Sequence, residues 1–169
     1  QPSLVLELCE QDRGKIVSHC IGELKGEGCN ELTRILCQNV RYLGTHRIGV
    51  VALTRIITCL NDEQRSWLSH AIMQHFALLV THQYGNFAAS AVLQFHSDYT
   101  SFQQVRQLFS NQAFFLECAF SKSGSHVVDE LINHAPDDIF LEFVTDVIGD
   151  KSGSTISQMC NNNIANYPL

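Results

Sequence analysis

The sequence lacks the patterns that identify many common classes of protein. Its seven cysteines are odd in number and include no CxxC pair, so no disulfide framework or zinc-finger site is indicated. It has no HExxH, P-loop or GxSxG motif, which leaves no motif evidence for an enzyme. No apolar run approaches the roughly 20 residues of a membrane helix, and no signal peptide is apparent. We therefore expect an intracellular, soluble, non-enzymatic protein without metal, cofactor or small-molecule substrate.

Basic side chains are also scarce. The chain has 11 Lys plus Arg against 17 Asp plus Glu, which gives a formal net charge of −6. This balance counts against a general nucleic-acid binder, which usually carries a basic surface. It does not exclude a local basic groove, because net charge does not say where the charges lie. The length of 169 residues and the 45% hydrophobic content suit one globular domain.

What the sequence does contain is a repeat. Five seven-residue segments superimpose without gaps, namely Leu8–Gly14, Leu43–Gly49, Leu79–Gly85, Cys118–Gly124 and Met159–Ala165. Each ends in a small residue, and the steps between these small residues are 35, 36, 39 and 41 positions. Self-similarity at this period is typical of solenoids, in which each unit buries its apolar face against its neighbours.

The residues after each small residue follow a helical pattern, and we number them from it as +1, +2 and so on. Apolar side chains recur at +3 and +7, namely Val17, Ala52, Ala88 and Val127, and Ile21, Ile56, Val92 and Leu131. These two positions lie on one face of a helix, whereas a strand would alternate with period two. The sequence therefore predicts stacked helices with a buried stripe.

The cysteines fit the same interpretation. Cys9 and Cys118 lie in or beside the apolar columns of the repeat. Buried thiols that behave as small hydrophobic residues are favoured over a zinc site, and they imply a reducing compartment.

Several stretches of the repeat resemble the Pumilio (PUF) family: YGNF at 84–87, HRIG at 46–49, SKSGSHVVDELINHA at 121–135 and NNNIANY at 161–167. Their order is similar to the C-terminal half of a Pumilio homology domain, with an insertion loop at 149–153 before the last repeat. The resemblance covers residues 1–169 as a single partial array of about four to five repeats, truncated at both ends. It implies an all-α solenoid of about 36-residue Pumilio-type repeats that form a curved superhelix.

The resemblance also implies a function. Such arrays bind single-stranded RNA along a concave face, where two or three side chains of each repeat read one base. Positions +1 and +5 bond the base edge, and position +2 stacks between bases. The implied partner is mRNA, bound at its 3′-UTR in the cytoplasm for regulation of translation, without a membrane.

Two repeats come near to a base-reading set of the family. One is similar to the uracil reader and consists of Asn86, Phe87 and Ser90. The next is similar to the guanine reader and consists of Ser125, His126 and Asp129. Ser90 stands where glutamine is usual, and Asp129 stands where the longer glutamate is usual, so both reach less far.

The other repeats match less well. The last repeat offers Asn166 and Tyr167, which are again uracil-like. Weaker candidates come from the first two repeats and are Lys15, Ile16, His19, Val50, Val51 and Thr54. Val50, Val51 and Thr54 have almost no hydrogen-bonding capacity. Lys15, Ile16 and His19 are suited to phosphate contacts at most.

An alternative function remains open at this point. A degenerate array that keeps the fold and loses its RNA would serve as a scaffold that binds proteins on its convex face. Trp67, on the third helix of its repeat, is a candidate for such a contact, although burial in the core explains it equally well.

Overall fold

The structure, a computed structural model, describes residues 2–11, 14–23, 27–95, 99–149 and 153–165. Every regular element in these ranges is a helix. Within the same ranges, none of the helices has the length and apolar character needed to cross a bilayer. The chain is thus built from short helices that alternate with tight turns.

The helices come in groups of three, a first, a second and a third helix for each repeat. The opening group is α1 (Pro2–Glu10), α2 (Gly14–Glu23) and α3 (Glu27–Gln38), and it is followed by α4 (Val40–Thr45), α5 (Gly49–Ile57) and α6 (Asp62–Met73). The next groups are α7 (Phe76–Thr81), α8 (Gly85–Phe95) and α9 (Tyr99–Phe109), then α10 (Gln112–Phe120), α11 (Lys122–His134) and α12 (Asp137–Phe143). A π-helical turn, Val144–Ile148, continues α12, and α13 (Ser154–Cys160) opens the last group.

Equivalent helices of successive repeats pack side by side. The second helices do so in chain order, α2 on α5, α5 on α8 and α8 on α11. The third helices pack in the same way, α3 on α6 and α9 on α12. Contacts therefore join neighbouring repeats, as a solenoid requires.

The predicted buried stripe is confirmed. Every side chain at positions +3 and +7 of α2, α5, α8 and α11 is at most 3% exposed. In the later repeats the stripe joins an aromatic cluster in which Phe109, Phe115 and Phe143 pack with ring centroids 5.6 to 6.1 Å apart. The apolar face of each second helix thus forms the centre of the core.

One predicted helix is two helices in the structure. The sequence pattern suggests a continuous helix from Glu31 to Tyr42, but α3 ends at Gln38 and α4 begins at Val40. Asn39 separates them, and its Nδ2 donates to the carbonyl oxygen of Ile35 at 2.8 Å. An asparagine side chain that bonds the backbone competes with helix propagation, which explains the break.

The cysteines are only partly buried. Cys9, Cys29 and Cys118 are buried as expected, but the expectation is wrong for Cys59 and Cys160, which are exposed at helix ends. Burial, with the nearby Glu117 carboxylate, raises the pKa of the Cys118 thiol to about 12. The buried thiol stays protonated at neutral pH and packs as a small apolar group.

The repeating glycine is required by a close backbone approach. A Cβ on Gly85 would lie 2.7 Å from the carbonyl oxygen of Leu79, six residues earlier in the preceding short helix. The same clash recurs between Gly49 and Leu43 and between Gly124 and Cys118. The first and second helices of a repeat therefore touch at this point, with no room for a side chain.

A side chain three residues before the small residue caps the second helix. The Nδ1 atom of His82 accepts hydrogen bonds from the backbone N–H groups of Tyr84 and Gly85, both at 3.2 Å. The equivalent acceptors in other repeats are His46, Ser121 and Asn162. The first N–H groups of a helix have no partner inside it, so these side chains satisfy them and fix where the helix begins.

The close approach gives the first prediction. We expect Gly85→Ala to destabilise the chain by about 1–3 kcal/mol, because the added methyl group meets backbone that cannot move aside. Gly22 is the matched control, since a Cβ there meets no atom within 4 Å. Gly22→Ala should leave the stability unchanged or raise it by up to about 1 kcal/mol. Urea unfolding followed by circular dichroism measures both, and equal midpoints for the two variants would contradict the close contact.

The cap gives the second prediction. We expect His82→Ala to lower the free energy of unfolding by about 1 kcal/mol, because two N–H groups lose their acceptor. His82→Ser should recover most of the loss, since Ser121 does the same work in the next repeat. His126→Ala serves as the control because His126 is exposed on the second helix α11. If serine is no better than alanine at position 82, the ring stabilises by packing and the cap is not responsible.

Candidate nucleic-acid interface

A row of exposed side chains runs across the second helices at position +2. Ile16, Val51 and Phe87 are 48%, 46% and 56% exposed, and His126 is exposed as well. They project from α2, α5, α8 and α11, which are neighbours in the packing. The structure therefore places one large side chain on the surface of each successive repeat.

Three of these helices share an open groove of about 640 Å³, which we call the central groove. It runs across α5, α8 and α11. Its lining brings together seven of the predicted site residues, namely Val50, Val51, Thr54, Asn86, Phe87, Ser90 and His126. The uracil-like set lies whole in this groove, whereas the guanine-like set contributes only His126 to it.

Position +1 is less accessible than the sequence predicts. Val50, Asn86 and Ser125 are only 2%, 3% and 8% exposed, although the base-edge role implied for +1 needs an accessible side chain. The amide Nδ2 of Asn86 donates to the carbonyl oxygens of His82 and Gln83, both at 3.0 Å. Asn86 holds the turn before its own helix and contributes to the floor of the groove.

The hydroxyl groups near the groove are also engaged with backbone. The Oγ of Ser125 donates to the carbonyl oxygen of Lys122 at 3.2 Å, and the Oγ1 of Thr54 donates to that of Val51 at 3.1 Å. Short hydroxyl side chains in helices commonly bond backward in this way. Thr54 and Ser90 are half-buried, and Asp129 is exposed.

Other predicted residues lie away from the groove. Lys15, Ile16 and His19 are exposed on α2, beyond the central groove. Asn166 and Tyr167 fall outside the described residues, so their role stays a prediction.

The central groove also contains residues that the sequence analysis did not select. Gln94 and Phe95 come from the last turn of α8, and Glu130 comes from α11. The Nε2 of Gln94 donates to Oε1 of Glu130 at 2.5 Å, which ties the two helices together. Gln94 follows Phe87 by seven residues and therefore shares its helix face, a spacing that could have indicated it.

The charges around the groove are mixed. Arg47 lines it, and Lys122 is exposed at the beginning of α11. The carboxylate of Glu130 also lines the groove, and Asp129 lies beside it on the surface. Few cations are available here for phosphate contacts.

A second groove of about 610 Å³ lies between the third helices α3 and α6, and we call it the outer groove. Trp67 lines it and is half-buried. The guanidinium of Arg34 lies 5.9 Å from the centre of the Trp67 ring, a cation–π contact. Third helices contribute nothing to the lining of the central groove, so the two grooves belong to different rows of helices.

Comparison with known sequences gives one curated relative. No protein-family model matches the chain. A Pumilio domain-containing protein of Schizosaccharomyces pombe is 21% identical over 170 residues, which cover all of this chain and 24% of that protein. The chain thus spans about a quarter of the curated relative that it matches.

Comparison with solved structures gives close similarities in fold. A Puf4 mutant bound to the Cox17 RNA 3′ UTR recognition sequence superimposes with a TM-score of 0.83 at 17% identity, over 98% of this chain and 53% of that one. The RNA-binding domain of yeast Puf5p bound to SMX2 RNA superimposes with a TM-score of 0.79 at 16% identity, over 96% of this chain and 45% of that one. PUF-8 in complex with PBE-RNA superimposes with a TM-score of 0.81 at 14% identity, over 99% of this chain and 47% of that one.

The chain spans about half the length of these solved chains. At such low sequence identities the superpositions are evidence for the fold alone. They agree with the helical-solenoid architecture described above. The resemblance predicted from the sequence is therefore confirmed, and the chain has the all-α solenoid fold of Pumilio repeats.

Proposed function

We propose that this chain binds single-stranded RNA sequence-specifically in the central groove. The observation that carries the proposal is the row of exposed +2 side chains, three of which, Val51, Phe87 and His126, line the groove, the last two with rings on adjacent helices. Flat rings on neighbouring helices provide stacking surfaces for successive bases, and every base has a face that can stack. Large exposed apolar side chains in a groove indicate an interaction site.

The similarity in fold supports this proposal. The solved Puf4, Puf5p and PUF-8 chains are described as bound to RNA, and the Puf4 chain to a 3′ UTR recognition sequence. By analogy we extend the proposal to binding of mRNA 3′-UTRs in the cytoplasm, as part of regulation of translation. This extension concerns the activity of a whole protein, and the chain spans about half the length of the solved chains that it matches.

The groove predicts an uneven reading of the RNA. Around α8 and α11 it offers two stacking rings and polar side chains. Around α5 it offers Val50 and Val51, and the Thr54 hydroxyl already donates to its own helix. A base over α5 would gain apolar contact but meet few base-edge hydrogen-bonding groups, so discrimination between bases should be weak there.

A second candidate function is protein binding in the outer groove. Tryptophan and arginine are enriched among the residues that dominate protein–protein binding energy. Trp67 and Arg34 meet in that groove, away from the central one. Protein binding in the outer groove is compatible with RNA binding in the central groove. It becomes the main proposed function only if the chain does not bind RNA.

The stacking row gives the third prediction. We expect Phe87→Ala to weaken binding of a fluorescent single-stranded octanucleotide by about 1–3 kcal/mol, because a base loses its platform. Phe140→Ala is the matched control, since Phe140 is 38% exposed on the third helix α12. It should leave the affinity unchanged. The affinity should also depend only weakly on salt, because few cations lie near the groove.

Fluorescence anisotropy decides between the two functions. If the chain and a Phe87→Ala/His126→Ala double variant bind RNA with equal affinity, neither ring stacks on a base. Absence of RNA binding, together with a protein partner that Trp67→Ala releases, would establish the scaffold instead.

A further inference from the structure

The central groove contains a polar bridge outside the +1, +2 and +5 positions. Nε2 of Gln94 donates to Oε1 of Glu130 at 2.5 Å, and Oε2 of Glu130 lies 3.1 Å from Nδ1 of His134. The bridge connects α8 to α11, the two helices that carry Phe87 and His126. Gln94 and Glu130 both line the groove.

The short side chain at position +5 leaves the bridge within reach of a base. Ser90 precedes Gln94 by four residues, so the two lie on one face of α8, one turn apart. A base stacked between Phe87 and His126 would point its edge along this face, past Ser90 and toward Gln94. A purine extends further from its sugar than a pyrimidine and suits the extra depth.

The bridge presents mainly hydrogen-bond acceptors. Nε2 of Gln94 gives one of its two N–H donors to Glu130, and Oε1 of Gln94 can accept from a ligand. Each carboxylate oxygen of Glu130 accepts more than one hydrogen bond, so both keep capacity beside their present contacts. The negative charge also disfavours phosphate at this point, so the bridge is suited to a base and not to the RNA backbone.

Guanine has the base edge that matches these acceptors. Its Watson–Crick edge carries the N1–H and N2–H₂ donors side by side, whereas adenine carries one amino group and uracil one imino group. A carboxylate beside an amide oxygen can accept from two adjacent donors at once. Edges of unstacked bases are the surfaces that proteins read in single-stranded RNA.

We propose that Gln94 and Glu130 form a guanine-selective base-edge site in the central groove. The proposal rests on RNA binding there and names the residues that give it specificity. It differs from the guanine-like set at 125, 126 and 129, because Ser125 is buried and Asp129 does not line the groove. On the same helix, Nδ1 of His134 lies 3.1 Å from the Glu130 carboxylate and 3.1 Å from the Glu130 carbonyl oxygen.

The test uses the chain and fluorescent RNAs of eight uridines in which one central uridine is replaced by guanosine, adenosine or inosine. We expect guanosine to bind about tenfold more tightly than adenosine, the size of discrimination that a two-bond edge contact provides. Inosine lacks the N2 amine and should lose part of that gain. Glu130→Gln should abolish the preference for guanosine over adenosine, because an amide group that donates replaces one of the two carboxylate acceptors.

Glu63→Gln is the control, because it removes the same charge from an exposed position on the third helix α6. Gln94→Ala tests the bridge independently of Glu130, and circular dichroism shows that each variant is folded. If the preference for guanosine persists in both Glu130→Gln and Gln94→Ala, the proposed base-edge site is wrong. It is also wrong if the parent chain binds octauridylate but shows no preference for guanosine. Neither result contradicts RNA binding in the central groove. No binding of any of these RNAs by the parent chain overturns both proposals.

Discussion

The contact that Gly49, Gly85 and Gly124 make with the carbonyl oxygen six residues earlier is the constraint on which the other features depend. It brings the first helix against the beginning of the second with no space for a side chain. A histidine, serine or asparagine three residues before the small residue then satisfies the exposed N–H groups and sets the first turn. Once the first turn is set, every later side chain of the second helix has a fixed direction.

That direction divides one helix between folding and binding. Positions +3 and +7 are buried in all four second helices, while position +2 is exposed in all four. Because the same turn recurs in each repeat, the exposed side chains form a row without needing contact with each other. Stability and ligand contact are thus assigned to different residues of α8, so Phe87 can be changed with little cost to the core, whereas Gly85 cannot.

The sequence predicts what depends on local spacing and misses what depends on contacts between elements. The period and the helical stripe follow from residue types at fixed offsets, and the structure has them. Burial of Asn86 does not follow from helical geometry, because it arises from bonds to carbonyl groups in the preceding turn. The Gln94–Glu130 bridge joins residues 36 positions apart, so only the packing of α8 on α11 reveals it.

Affinity and specificity have different physical sources in this groove. Stacking needs only an exposed flat or apolar side chain, and α2, α5, α8 and α11 each provide a side chain at +2. Base discrimination needs donors or acceptors that the protein has not already used, and the donors of Asn86, Ser125 and Thr54 already bond carbonyl oxygens of their own backbone. A buried polar group on a base edge that finds no hydrogen-bond partner costs more binding free energy than a matched group contributes. The few remaining acceptors therefore have a large effect on which base binds. Under the proposed function, the array would hold RNA through the +2 row of its second helices and select bases at only one pair of them, α8 and α11.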